Sequence, residues 1–246
     1  SKMNNVELIK YIKKQMRKKM INTLFCGNYK VFDGILSCII SILKRTETKE
    51  PFHFYLFTMD VHHLREDYTP ITEKQVDFLQ KVVKSYNSEN LVTKIDVTDF
   101  YNKEFANSPN EQCYCSPYTL LRLLADLVPE IPEKVLYLDA DLLFNKDITK
   151  LYNIDIEKYE YAAAPDHYGK LVLFWQKKFI NAGVIIFNMK KCKETGLFKK
   201  SRNEIRMHKL TFADESAIIR STTYQLKISQ RFNDQKFLYK GTVIRH

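Results

Sequence analysis

Apolar residues occur in short, uninterrupted stretches at intervals along this chain. The stretches at 21–26, 52–58, 91–97 and 134–138 are rich in β-branched and aromatic residues, which is typical of strands buried on both faces of a parallel sheet. Between them apolar residues recur at helical spacing, most clearly over 72–86. The alternation predicts an α/β fold with a mostly parallel central sheet flanked by helices.

The remaining pattern extends this prediction to the whole chain. Strands are predicted at 161–165, 179–189 and 225–229, and 99–109 is predicted to be a loop with at most a short helix. Helices are predicted at 33–44, 116–127, 190–208 and 214–221. No linker divides the sequence. The sequence therefore predicts a single domain over 21–246, preceded by a basic helical extension over 1–20.

Two carboxylates, Asp139 and Asp141, directly follow the predicted strand at 134–138. Ligands of α/β sheets bind beyond the carboxyl ends of the strands. Two unpaired carboxylates there would repel each other and would be costly to desolvate. A divalent cation bound by their oxygens removes this problem. Asp-x-Asp also occurs in solvated turns and helix caps, so the motif alone leaves both interpretations open.

Composition narrows the class of protein. The chain has 246 residues, 45% of them apolar, which is enough for one large α/β domain. No apolar run approaches the ~20 residues of a membrane span, and the first residues lack the apolar core of a signal peptide. The five cysteines match no familiar zinc spacing. Reduced thiols in a cytoplasmic protein are the simpler interpretation.

The net charge of +10 is unevenly distributed. Residues 1–20 contain seven basic residues and one acid, so the rest of the chain is only mildly basic. This argues against a nucleic-acid partner. It leaves an anionic small substrate, and contact of the basic N-terminal helix with the inner face of a membrane, as open predictions. The alternative for that helix is packing on the domain with a solvated basic face.

A resemblance to a known family rests on several motifs in a fixed order. The sequence VLYLDADLLF at 135–144, followed by LYNID at 151–155, resembles the signature of glycosyltransferase family 8. Lipopolysaccharide galactosyltransferases and glycogenin are among its members. The supporting positions are the turn at 26–29, Arg122, Asn-Ala-Gly at 181–183, the acids at 214–215, and a final strand ending in His246.

The resemblance implies a GT-A fold and a retaining transfer reaction. A hexose, glucose or galactose, would pass from a UDP-sugar to a glycan, lipopolysaccharide or protein-linked acceptor. The implied cofactor is Mn²⁺ or Mg²⁺, held by Asp139, Asp141 and His246. Such a cation acts as a Lewis acid on the diphosphate of the leaving UDP.

The resemblance also assigns roles to single residues. The positions implied to bind the nucleotide-sugar are Cys26, Asn28, Tyr29, Arg122, Asp139, Ala140 and Asp141. The positions implied to act at the transferred sugar are Arg122, Asn181, Asp214 and Glu215. Four of these have ordinary alternatives. Tyr29 could cap the core at a strand end, and Asn181 could form the turn at a strand start. Arg122 could form a surface ion pair, and Asp214 could be a helix N-cap.

Three features depart from the family pattern. Cys26 stands where an Asp that helps to hold the uridine is usual, and Glu215 stands where a Gln is usual. The sequence also stops at His246, before the Gly-x-x-Lys-Pro-Trp loop with which the family continues. A non-catalytic nucleotide-sugar-binding relative is therefore the alternative function. A haloacid dehalogenase-type phosphohydrolase is disfavoured, because there the Asp-x-Asp follows the first strand and here it lies mid-chain.

Overall fold

A computed structural model describes residues 19–111, 116–167, 179–236 and 238–246. Within these residues seven strands form one sheet, in the order β3-β2-β1-β4-β7-β6-β8. Its strands are β1 (Ile21–Cys26), β2 (Phe52–Thr58), β3 (Leu91–Asp96), β4 (Lys134–Leu138), β6 (Tyr161–Ala163), β7 (Val184–Asn188) and β8 (Gln225–Lys227). All neighbours pair in parallel except β7, which is antiparallel to β4 and β6. The predicted mostly parallel sheet is confirmed.

A second, small sheet lies beside the first. It pairs β5 (Leu143–Phe144) with β9 (Ile244–Arg245) in antiparallel register, Leu143 opposite Arg245. This pairing joins the segment after Asp141 to the segment before His246. It therefore brings two distant predicted metal ligands to one place.

Helices cover both faces of the main sheet. They are α1 (Phe32–Arg45), α2 (Glu73–Tyr86), α3 (Thr98–Phe105), a 3₁₀ helix (Pro117–Leu127), α4 (Thr149–Tyr152), α5 (Met189–Thr195), α6 (Leu197–Met207) and α7 (Ala213–Ser221). Short 3₁₀ turns lie at Tyr29–Val31 and Gln230–Phe232.

Two apolar clusters fill the space between helices and sheet. One packs α1, α2 and α4 on one face, and the other packs α3, the 3₁₀ helix and α5 to α7 on the opposite face. In β4, Val135 and Tyr137 belong to one cluster, and Leu136 and Leu138 to the other. This alternation is the two-residue period of a strand covered on both sides.

Local chemistry explains the clearest helix boundary. Thr72 caps α2 through a capping box: its hydroxyl accepts a hydrogen bond from the backbone N–H of Gln75, and the Gln75 side chain accepts one from the N–H of Thr72 at 2.9 Å. Reciprocal bonds of this kind satisfy two backbone donors that the first helical turn leaves free. The predicted start of this helix is confirmed.

Two predicted boundaries in the second half were wrong. The helix predicted at 190–208 is two helices, because Gly196 adopts a left-handed backbone with φ of 71° that ends α5. The strand predicted at 179–189 forms only Val184–Asn188. The helix predicted at 116–127 is confirmed in its bounds, Pro117–Leu127, and it is a 3₁₀ helix. Most of its residues are buried, so tertiary packing outweighs the local preference.

Some predictions fall on residues that the structure does not describe. Residues 1–18 of the predicted basic N-terminal extension lie outside the described residues. No helix in the described parts of the chain is both long and apolar enough to cross a membrane.

Candidate active site

A cavity of ≈ 550 Å³ opens at the carboxyl ends of β1 and β4. This is the edge at which α/β sheets bind ligands, and the volume falls within the ~300–1,000 Å³ of small-molecule sites. The residues that line it are Cys26, Gly27, Asn28, Lys30, Val31, Arg65, Tyr68, Ser116, Tyr118, Thr119, Tyr137, Asp139, Ala140 and Asp141.

The reversed strand β7 brings the Asn-Ala-Gly segment at 181–183 to the same edge. The backbone N–H of Asp139 donates to the carbonyl of Gly183 at 2.9 Å. A Cβ at Gly183 would lie 2.5 Å from His246 Cε1 and 2.8 Å from Asp139 Oδ2. Position 183 therefore needs a glycine, because a methyl group would occupy the space between two predicted metal ligands.

Asp139, Asp141 and His246 form a group whose ligand atoms all lie within 4.8 Å of one another. Two carboxylates and one imidazole suit Mn²⁺, and carboxylates also suit Mg²⁺. A hydrogen bond from His246 is the main cause that lowers the pKa of Asp141. Burial lowers the pKa of His246, but its contacts with Asp141 and Asp139 outweigh burial and raise it overall. This donor set, with the space left by Gly183, fits the cation that the sequence predicts.

The loop that carries the Asp-x-Asp motif is fixed from below by α1. A Cβ at Gly34 of α1 would lie only 2.5 Å from the backbone oxygen of Ala140. The helix therefore packs directly against the peptide between the two carboxylates. Ala140 itself lines the cavity, as expected for a residue between two ligands.

Arg122 lies beneath the cavity, 2% exposed, and its guanidinium contacts groups on every side. It donates to Asp139 Oδ1 at 3.1 Å, to the carbonyl of Thr119 at 3.0 Å and to the carbonyl of Ala182. Its Nε lies 3.2 Å from Asp214 Oδ2, and the group stacks 3.8 Å from the Tyr137 ring centroid. The surface ion pair considered for Arg122 is wrong, since the side chain is buried and joins two acids.

Asp214 and Glu215 lie in the first turn of α7, beside this arginine. Burial raises the pKa of Asp214, although Arg122 opposes the shift. The carboxylate of Glu215 accepts a hydrogen bond from the backbone N–H of Ala182 at 3.0 Å, and burial raises its pKa to about 8. Glu215 is therefore a neutral acid at pH 7, close in shape and charge to the amide usual in the family.

Asn181 contacts polar residues that the sequence did not indicate. Its amide nitrogen donates to Asp166 Oδ2 at 2.9 Å, and its oxygen accepts from the side chain of Asn233 at 2.7 Å. Asn233 in turn contacts His246. No sequence motif marks Asp166 or Asn233, which are separated by 67 positions along the chain.

The opposite wall of the cavity contains the predicted nucleotide-binding positions. The Asn28 side chain accepts from the N–H of Lys30 at 3.1 Å and donates to the carbonyl of Asp67 at 3.3 Å. Cys26 lines the cavity, and burial raises the pKa of its thiol, which keeps it uncharged. Tyr29, one of the positions implied to bind the nucleotide-sugar, is not among the residues that line the cavity.

Tyr68 and Arg65 line this wall instead, with the Arg65 guanidinium 4.4 Å from the Tyr68 ring centroid. Asp67 holds both cations of this wall, since Lys30 Nζ is 2.5 Å from one of its oxygens and Arg65 contacts both. Arg65, Asp67 and Tyr68 come from the loop after β2. Sequence reasoning missed them because nothing local links that loop to the Asp-x-Asp strand.

Comparisons with known proteins agree with this geometry. The family description "Glycosyl transferase family 8" matches residues 22–216. The chain belongs to glycosyl transferase family 8. A protein from Haemophilus influenzae with a provisional glycosyltransferase name is 26% identical over 225 residues, covering 87% of this chain and 63% of its own length. The glycosyltransferase GlyA of Streptococcus pneumoniae serotype 4 is 26% identical over 185 residues, 74% of this chain and 23% of GlyA.

Solved structures show the same fold as this family 8 chain. An active-site mutant of LgtC superimposes with a TM-score of 0.71 at 18% identity, covering 92% of this chain and 86% of that one. The galactosyltransferase LgtC in complex with donor and acceptor sugar analogues gives 0.67 at 20% identity, with 87% and 75% covered. The predicted GT-A fold is confirmed. The chain spans less than two thirds of the length of the curated relatives described above.

The raised pKa of Glu215 predicts a pH-dependent effect of replacing it with Gln. Its pKa is about 8 in the folded chain and 4.5 for an ordinary Glu, so between these pH values the folded state retains a proton that the unfolded state releases. The contribution of Glu215 to the free energy of unfolding is therefore full below pH 4.5 and is lost as the pH rises to about 8. We expect Glu215→Gln to match the native chain at pH 5 and to exceed its stability increasingly up to about pH 8.

Urea unfolding of both chains between pH 5 and 9 measures this difference. Asp214 and Asp166 raise the pKa of Glu215 and Arg122 lowers it, but they are unchanged in both chains and largely cancel in the comparison. A difference that stays constant with pH would show that Glu215 titrates normally in the folded state.

Proposed function

We propose that this chain transfers a hexose from a UDP-sugar to a carbohydrate acceptor, with retention at the anomeric carbon and with Mn²⁺ or Mg²⁺ as cofactor. The observation that carries the proposal is the group of Asp139, Asp141 and His246, of which the two aspartates line the cavity. Family 8 membership supports glycosyl transfer. LgtC shares the fold and binds donor and acceptor sugar analogues, which supports two substrates for this chain also.

The cavity suits a nucleotide on the side away from the acids. Tyr68 offers an aromatic face for a base, and Asn28 lies at the end of β1 with its amide on the cavity wall. Lys30 and Arg65 add positive charge at the rim, although Asp67 offsets part of it. A diphosphate extending from this wall towards Asp139 would reach the cation.

The cation, held by Asp139, Asp141 and His246, would stabilise negative charge on the UDP leaving group as a Lewis acid. The chain's own residues then shape the sugar side. Arg122 fixes Asp139 and Asp214 relative to each other. Asp214, which Arg122 contacts at 3.2 Å, offers a carboxylate on the sugar side, and negative charge there would stabilise positive charge that develops at the anomeric carbon. Glu215, neutral at pH 7, adds no second charge.

Turnover of a panel of UDP-sugars tests the proposal. We expect UDP release with UDP-glucose or UDP-galactose in the presence of Mn²⁺, its loss when EDTA is added, and an α-linked product by ¹H NMR after a sugar acceptor is supplied. Tight binding of UDP without hydrolysis or transfer would instead favour a non-catalytic nucleotide-sugar-binding relative, the function to which Cys26 in place of an Asp points.

A further inference from the structure

Four side chains form a continuous hydrogen-bonded chain that ends on the imidazole of His246. Asn181 Nδ2 donates to Asp166 Oδ2 at 2.9 Å, and Asn233 Nδ2 donates to Asn181 Oδ1 at 2.7 Å. Asn233 Oδ1 then lies 2.8 Å from His246 Nδ1. Asp166 and Asn233 are buried, 8% and 0% exposed, so water competes little for these bonds.

The direction of every bond in this chain follows from groups that cannot reverse. The backbone N–H of Gly183 can only donate, and it points at Asn181 Oδ1 at 3.0 Å. A carboxylate can only accept, and Asp166 contacts the other end of the same amide. Both contacts place the Asn181 oxygen towards Asn233. Asn233 must therefore present its NH₂ to Asn181 and its oxygen to His246.

We propose that Asn233 is a positioning residue that keeps a proton on Nδ1 of His246, so that the neutral imidazole has its lone pair on Nε2. An amide oxygen at 2.8 Å requires a donor, so Nδ1 must carry hydrogen. The other ring nitrogen, Nε2, faces Asp141 at 3.4 Å and is the atom that would bind the cation. This inference rests on the proposed metal-dependent function and assigns Asn181 and Asp166 to the support of the metal site.

The backbone around Asn233 is suited to this role. Asn233 follows the 3₁₀ turn Gln230–Phe232, and its N–H donates to the carbonyl of Gln230 at 3.0 Å. The next residue, Asp234, accepts from the N–H of His246 at 3.0 Å and donates to the carbonyl of Ile244 at 3.0 Å. Consecutive residues thus hold both the backbone and the ring of His246. Metal-bound histidines usually have such a partner on the second nitrogen.

Nitrogen NMR of the native chain tests the tautomer directly. Uniform ¹⁵N-histidine labelling, with long-range ¹H–¹⁵N spectra at alkaline pH, distinguishes a protonated from an unprotonated ring nitrogen. The resonances of His246 are identified by their loss in His246→Gln. We expect a protonated Nδ1 and an unprotonated Nε2. A protonated Nε2 with a bare Nδ1 in the native chain would overturn the proposal without any variant of Asn233.

Three variants separate positioning from general stability. Asn233→Leu removes the acceptor, so we expect a mixture of tautomers and a loss of Mn²⁺ affinity of about 10- to 100-fold. Asn233→Asp keeps an acceptor for Nδ1–H, so the Nδ1–H tautomer should persist. Asn145→Leu is the matched control, since the Asn145 side chain donates to the carbonyl of Thr242, near His246 in the sequence, and not to His246 itself. In this variant the tautomer of His246 and the Mn²⁺ affinity should equal those of the native chain.

Electron paramagnetic resonance of free Mn²⁺ gives the affinities, with Mn²⁺ alone as the probe and circular dichroism as the check on folding. The positioning role would be refuted if the native chain bound Mn²⁺ and the folded Asn233→Leu chain showed the same Mn²⁺ affinity and the same His246 tautomer. If the native chain bound no Mn²⁺, the metal site of the proposed function would fail, while the NMR result would still decide the tautomer.

Discussion

Replacing Asp141 with Asn should reduce metal-dependent sugar transfer on the order of 10³-fold, since a cation supplies several kcal/mol of charge stabilisation in the transition state. Asp141 is the most exposed member of the metal group: its side chain is 75% exposed, against 16% for His246. The only described ion pair of its carboxylate is with that histidine. The substitution should therefore remove a ligand while changing the free energy of unfolding by less than about 0.5 kcal/mol.

Initial rates of UDP release over a range of Mn²⁺ concentrations measure this effect. Asp77→Asn is the matched control, because Asp77 is an exposed carboxylate on α2, far along the chain from the metal group. The control should keep the native rate. A folded Asp141→Asn chain within threefold of the native rate at every Mn²⁺ concentration would exclude Asp141 as a necessary ligand.

Replacing Arg122 with Met should destabilise the chain by about 3–5 kcal/mol, the usual result of removing one member of a buried ion pair. Asp214 is 5% exposed. Among the described residues, Arg122 is the only one that forms an ion pair with it. Without the guanidinium, Asp214 must be protonated or remain buried as an unpaired charge. Asp139 and the carbonyl of Ala182 would also lose a donor.

Urea denaturation at pH 7 measures the loss of stability. Arg220→Met provides the control, since Arg220 is 53% exposed and pairs with Glu204 at 3.4 Å; such pairs contribute about 0–1 kcal/mol. The double variant Arg122→Met with Asp214→Asn should recover part of the loss because it removes the unpaired charge. Failure of any recovery would mean that Asp214 is not the group that Arg122 stabilises.

The sequence was most informative about the fold where burial leaves a local pattern. Strands β1, β2 and β4 were predicted to the residue, because a strand covered on both faces must be continuously apolar. The direction of β7 and its insertion between β4 and β6 leave no such trace. Both depend on contacts among segments far apart in the sequence. The break at Gly196 was missed for a related reason, since the flanking helical pattern continues across it.

The site divides in the same way. Asp139 and Asp141 could be predicted because they directly follow a buried strand. The resemblance to the family added Arg122, Asn181, Asp214 and His246. It did not indicate that Arg122 lies beneath the cavity as a buried bridge between acids. Asp166, Asn233 and Tyr68 were missed altogether. Each acts through a partner in a distant segment, and Asn and Tyr are too common for their type alone to mark them.

The pairing of β5 with β9 has a consequence for the order in which the protein becomes functional during synthesis. Asp141 leaves the ribosome about a hundred residues before His246, and the main sheet is complete once β8 has emerged at Lys227. Domains fold as units as the chain is made, so the scaffold can form while the third ligand is still being translated. A polypeptide interrupted between these points would lack His246 and could not complete its metal group. One that ended at Lys227 would also lack Phe232, Val243 and Ile244 of the apolar core. The metal group is complete only after His246 has been synthesised.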